Sequence, residues 1–143
     1  MGVWISTNPT ISINENYREK LEKIRSCLTC WEYRRQTLLG KIVVLKSLIA
    51  SQLVYMLSTL PTNQQALDEI NNIFYKFLWD GKGDKIERSI MLCDYESGGF
   101  RMLDLNSLNK ALNLSWVKKY FNENNSGKWN LLFDFQLQDY DGA

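Results

Sequence analysis

The residues of this chain that could do chemistry are three cysteines, a charged glycine turn, two acidic pairs and a lysine-flanked stripe of small side chains. Cys27-x-x-Cys30 with a distant Cys93 offers at most three thiolates to a zinc ion, and the pair falls inside a helical pattern. Small, apolar, buried cysteines are the simpler reading. The turn Asp80-Gly81-Lys82-Gly83-Asp84 lacks the GxxxxGK[ST] spacing of a phosphate loop. Asp68-Glu69 falls on a polar helix face, and Asp139 and Asp141 fall in the tail. Neither pair has another carboxylate placed to share a metal ion. With no histidine in the chain, His-based nucleophile activation and His metal sites are excluded. Nothing here assembles a catalytic centre, and no cofactor or metal is expected.

The stripe is different. At 100° per residue, Gly40, Ser47, Ser51 and Ser58 share a narrow arc of one predicted helix, with Lys41 and Lys46 on its other sides. Small side chains let another backbone approach closely. That backbone could be a neighbouring helix. It could equally be a nucleic-acid strand, with Ser hydroxyls and flanking lysines meeting sugars and phosphates. The charge distribution leans towards a polyanion: residues 1–50 carry eight Lys or Arg against four Glu, while residues 51–100 carry four basic against seven acidic side chains.

Five helices are needed to hold these residues. Ser12-x-x-Glu15 fits a capping box for a first helix whose inner face is Tyr17, Leu21, Ile24, Leu28 and Trp31. Thr37 caps a second running to about Ser58, apolar around most of its circumference and so expected to be the central, most buried one. Thr62 and Gln65 form a capping box for a third, with Leu67, Ile70, Ile73, Phe74 and Phe77 inward. Asp104 caps a fourth carrying Leu105, Leu108, Leu112 and Trp116 inward, and Ser126 starts a short fifth. Val3-Trp4-Ile5 reads as a short N-terminal strand that would need a sheet to join. Residues 80–103 form an irregular, Gly-rich connection.

The 143 residues, 45% apolar and 23% charged, suit one globular domain. An odd number of cysteines favours a reducing, intracellular compartment over an oxidised secreted framework. No signal peptide is apparent at the N-terminus, and the longest unbroken apolar run is far short of a membrane span. The sequons at Asn113 and Asn124 are read as chance matches.

The order of residues is more specific than their types. Trp31, Arg34, Thr37, Gly40-Lys41, Lys46-Ser47 and Tyr55 are followed by Phe77-Leu78-Trp79, Gly98-Gly99, Asp104, Asn109 and Ala111. In order and spacing this series resembles the reverse transcriptase of LINE-type (non-LTR) retrotransposons, in the region just C-terminal to the catalytic palm. The resemblance runs from Gly2 to about Phe133. Gln36, Phe100 and Leu103 stand where that family usually has Leu, Leu and Pro, and Asp94-Tyr95 replaces a frequent Pro-Lys. The resemblance implies a mainly α helical bundle, with a thumb-like part over 1–79 and a connection with C-terminal helices over 80–143 packed on it as a single domain.

It also implies function. The parent family comprises RNA-directed DNA polymerases, whose palm aspartates hold two metal ions in an aromatic-x-Asp-Asp motif. That motif is missing here, so the expectation is a non-enzymatic module. Its expected partners are an RNA/DNA template–primer duplex and the palm domain of a longer parent chain, with no membrane. Arg34, Lys41 and Lys46 are the expected phosphate contacts, and Ser47 and Ser51 the close-approach face. The alternative is a helical protein-interaction module that docks through the surface a palm would cover.

Overall fold

A computed structural model describes residues 3–122, 127–131 and 133–135 of the chain. They form a helical bundle of α1 (Pro9–Glu32), α2 (Leu38–Thr59), α3 (Gln64–Leu78), the short α4 (Arg88–Leu92) and α5 (Leu105–Tyr120). Within α2 one turn, Leu45–Ile49, is π-helical. α3 packs against α1, the first half of α2 and α5, and α5 also lies along the second half of α2. Leu45, Ile49, Leu53, Leu57, Leu67, Ile70 and Phe74 are fully buried where these helices meet. A further helical turn spans 129–131 and 133–135. The predicted start at Ser126, the Asp139/Asp141 pair and Asn124 lie outside the described residues.

Two helix starts differ from the capping boxes read in the sequence. Asn8 caps α1, its Oδ1 accepting from the Thr10 and Ile11 amides, with Pro9 at the first helical position. Asn63 caps α3 by accepting from the Ala66 amide. In each case the expected cap has a tertiary partner instead. Ser12 Oγ donates to the Trp4 carbonyl at 2.7 Å, and Thr62 Oγ1 accepts from Asn109 Nδ2 at 2.7 Å. Thr37 and Asp104 do cap α2 and α5, as their positions predicted.

The expected N-terminal strand is absent. No strand occurs among the described residues for it to pair with, so its backbone groups are met by side chains. Asn16 accepts from the Trp4 N–H at 2.8 Å and donates to the Trp4 carbonyl at 2.7 Å, acting on both sides as a neighbouring strand would. The 80–103 connection is more ordered than its glycines suggested. Met91, fully buried in α4, accepts on its carbonyl from the Phe100 and Met102 amides. Gly98 takes a left-handed φ of 76°, and at Gly99 a Cβ would lie 2.1 Å from the Cys93 carbonyl oxygen. That stretch is architecture, and only glycine fits at position 99.

α2 is long and apolar enough, by length and composition, to cross a membrane, with 22 residues and a mean hydropathy of 1.6. Lys41 and Lys46 interrupt its apolar residues, so no unbroken run reaches spanning length. Here α2 is the bundle's central helix, although only 44% of its most apolar stretch is buried.

Lys41 is the chief surprise of the fold. Its side chain is 8% exposed, and its ammonium donates to the carbonyls of Phe77 (3.1 Å) and Leu78 (3.3 Å) and to Asp80 Oδ1 (2.5 Å). It thereby caps the C-terminus of α3, where the last carbonyls lack intrahelical donors and the helix dipole is negative. Replacing Lys41 with Met should therefore lower unfolding free energy by about 2–4 kcal/mol in urea denaturation, since buried acceptors lose a charged donor. Asp80 is held below the ordinary carboxylate pKa of 3.8, chiefly by the hydrogen bond from Lys41. A depressed folded-state pKa stabilises above the unfolded value and loses that contribution as pH falls through the folded one. Asp80→Asn should accordingly flatten the acid limb of the stability–pH curve below about pH 4, measured by thermal unfolding.

Candidate nucleic-acid interface

Five side chains were expected to form the interface, and the structure separates them. Lys41 turns inward and caps α3, so its expected phosphate contact gives way to a structural role. Arg34 lies in the turn between α1 and α2, exposed, its guanidinium 4.4 Å from the centroid of the Trp31 ring. Lys46 is exposed on α2 and donates to the Arg101 carbonyl at 3.0 Å. An ammonium carries three donors, so this bond uses one of them. Ser47 and Ser51 are both exposed, about one turn apart, with Ser51 bordering a cleft against Asn16, Glu19, Lys20 and Lys23 of α1. The close-packing explanation of the small-residue stripe therefore fails at these two positions.

The serine hydroxyls carry a chemical constraint. Ser47 Oγ donates to the Val43 carbonyl at 2.7 Å, and Ser51 Oγ to the Leu48 carbonyl at 2.9 Å. A hydroxyl has one proton, and phosphate oxygens only accept. As arranged, these serines can accept from a sugar hydroxyl, but they meet a phosphate only by releasing a backbone carbonyl. Their value lies in being small.

Sequence periodicity missed how much apolar surface surrounds them. Leu39, Val43, Val54 and Tyr55 are exposed on α2, Val43 by 61% and Tyr55 by 56%. Tyr95, from the turn after α4, joins Leu39, Ile42, Val43, Lys46 and Ser47 around a shallow groove. The Arg101 guanidinium pairs with Asp94 at 2.6 Å and lies 5.3 Å from the Tyr95 ring centroid. This fixes the groove's outer wall. Arg101 itself adopts a φ of 49°, a left-handed conformation uncommon for a residue with a side chain. No periodicity rule could place Tyr95 here, because the Gly98-Gly99 turn sets its position.

Other chemistry stays dispersed. Among the described residues no group of three or more His, Cys, Asp or Glu could hold a metal ion. Cys27 is half-buried, Cys30 and Cys93 are exposed, and all three are free thiols.

No family model matches the chain. Over 123 residues it is 24% identical to an Arabidopsis thaliana protein named "Putative ribonuclease H protein". The match takes in 82% of this chain and 20% of that protein, so the chain spans about a fifth of its relative's length.

The exposure of the serines makes a direct prediction. Ser47→Leu and Ser51→Leu should each change unfolding free energy by less than about 0.5 kcal/mol, as surface substitutions do. A loss of several times that in urea denaturation would mean that the stripe is covered after all.

Proposed function

We propose that this chain is a thumb-like module of a retroelement reverse transcriptase, gripping template–primer duplex through its backbone without reading sequence. The observation that carries the proposal is the open face of α2. There, Lys46 and Ser47 both border the apolar groove and Ser51 lies about one turn further along, on a helix whose opposite side is core. A duplex backbone can approach such a face closely, with Lys46 and Arg34 supplying charge and Ser47 and Ser51 supplying room. The similarity to one fifth of a protein named for ribonuclease H supports a place in a larger nucleic-acid enzyme. On this reading the polymerising residues belong to another part of a longer intracellular chain, and this module has no catalysis of its own.

One observation favours a second reading. Leu39, Val43, Val54 and Tyr55 give α2 more exposed apolar surface than phosphate contact needs. A helical module that docks a protein partner, a palm domain included, would use that same face.

Salt separates the two. With Arg34 and Lys46 as the phosphate contacts, log affinity for duplex should fall against log salt with a slope of about −2. Lys46→Ala should bring the slope to about −1, and Ser47→Leu should weaken binding while the protein stays folded. Fluorescence anisotropy with a labelled duplex measures both. Binding that ignores salt, or no binding at low salt, decides for the protein-docking reading.

A further inference from the structure

A second open cleft, separate from the groove at Tyr95, forms where the end of α2, α5 and the helical turn carrying Trp129 and Phe133 meet. Ser58 borders it from α2, Asn113, Trp116 and Val117 from α5, and the two aromatic side chains from the turn. Its open space is about 630 Å³, within the roughly 300–1,000 Å³ of clefts that take small planar ligands. Its walls are tied down. The Trp116 indole N–H donates to the Ser58 carbonyl at 2.7 Å, and the Tyr120 hydroxyl bonds to Asp134 Oδ1. Trp116 and Trp129 meet edge to face, with centroids 5.6 Å apart and planes at 77°. Trp129 meets Phe133 in the same manner, at 6.2 Å and 71°. An edge-to-face contact covers a face of only one ring, whereas stacking covers a face of each. This packing leaves ring face for a flat guest.

The charges beside the cleft specify the guest. α5 carries Lys110, Lys118 and Lys119 and no acidic residue. The Lys119 ammonium lies 4.4 Å from the centroid of the Trp116 ring, which puts a cation at the cleft wall. Lys110 is exposed, and two helical turns bring its position back to the face of Val117. The two lysines are about 13.5 Å apart along an ideal helix axis, with Asn113 and Trp116 between them. Asp134, the described acid of the neighbouring turn, is taken up by the Tyr120 hydroxyl. An apolar protein segment entering here would strip water from the lysines and return no charge. A polyanion with flat apolar faces answers both the rings and the cations.

We propose that this cleft takes unpaired bases of a single-stranded nucleic acid, stacked on Trp116 and Trp129, with the strand's phosphates at Lys110 and Lys119. Such stacking accepts any base, because every base presents a π-face. Asn113, exposed on the same wall, carries both a donor and an acceptor for a base edge. The inference stands apart from the duplex-binding reading. A duplex keeps its bases stacked on one another, so only a strand free of its complement enters this cleft.

The experiment compares two labelled strands on the whole 143-residue chain by fluorescence anisotropy. One is a run of about twelve thymidines, and the other is an abasic strand with the same phosphates. The thymidine strand should bind about tenfold more tightly than the abasic one. Trp129→Leu should remove that advantage and leave duplex affinity unchanged. Lys110→Gln and Lys119→Gln should weaken both strands, each lowering the salt slope by about 0.7. Should Trp129→Leu fail to fold, the comparison of the two strands on the unaltered chain carries the test. Equal affinities would mean that the strand is held by its charge alone, which overturns the inference. No binding of the thymidine strand at low salt overturns it as well and leaves the cleft to an apolar protein partner. Neither result bears on duplex binding, which Lys46→Ala and Ser47→Leu test at the other face.

Discussion

The arrangement of this bundle depends on the ammonium of Lys41 reaching the end of α3. That helix stops where Asp80 and Gly81 take left-handed φ values of 53° and 72°, and it ends against Trp79 and Leu78, which are almost wholly buried. Water cannot easily serve carbonyls in such a place, so a donor has to come from the protein. Lysine supplies a charge of the right sign for a helix C-terminus as well as several protons. The contact also fixes how α2 is rotated about its own axis. Val43 lies about 200° around an ideal helix from Lys41, so turning the lysine inward turns Val43, and with it the groove, outward. The exposed face is a consequence of the buried cation.

The π-helical turn at Leu45–Ile49 adjusts the rest of α2. There the Ala50 amide donates to the Leu45 carbonyl, one residue further back than in an α-helix. The extra residue lets α2 serve two neighbours in sequence. Its first half, with Ile42 and Leu45, faces α3, and its second half, with Leu53 and Leu57, faces α5. Ser47 lies within the widened turn, and its hydroxyl donates to the Val43 carbonyl at 2.7 Å, the back-bonding that often accompanies a bend in a helix. A serine among aliphatic residues thus keeps the surface low at the widened turn.

Most of the helices and their inward faces could be read from the residues, because apolar spacing is a local signal. Leu67, Ile70, Phe74 and Phe77 on α3 are buried as their periodicity demands. The caps were harder to read. Adjacent Ser, Thr and Asn compete to start a helix, and the winner depends on which hydroxyl a distant group claims. Asn109, 47 positions further along the chain, claims Thr62 and leaves the cap to Asn63. Lys41 was misread for a related reason. A lysine between aliphatic residues reads as a surface charge, and only the position of the α3 terminus turns it inward.

The residues that carry the family resemblance divide by the work they do in the bundle. Thr37 caps α2 through the Gly40 amide, Lys41 caps α3, Gly99 admits the Cys93 carbonyl, Asp104 caps α5 and Asn109 holds Thr62. Each would be required by this architecture whatever it bound. Their order and spacing are therefore accounted for by this architecture before any binding is invoked. Functional argument has to rest on what the fold leaves over: Arg34 resting on Trp31, Lys46 with protons to spare, Ser47, Ser51, and the apolar rim of Val43 and Tyr55. Two exposed cations, Arg34 and Lys46, supply little attraction to a polyanion on their own. On the duplex-binding reading proposed above, a firm grip would need charge from elsewhere, and the apolar rim beside the serines is suited to hold a neighbour that supplies it.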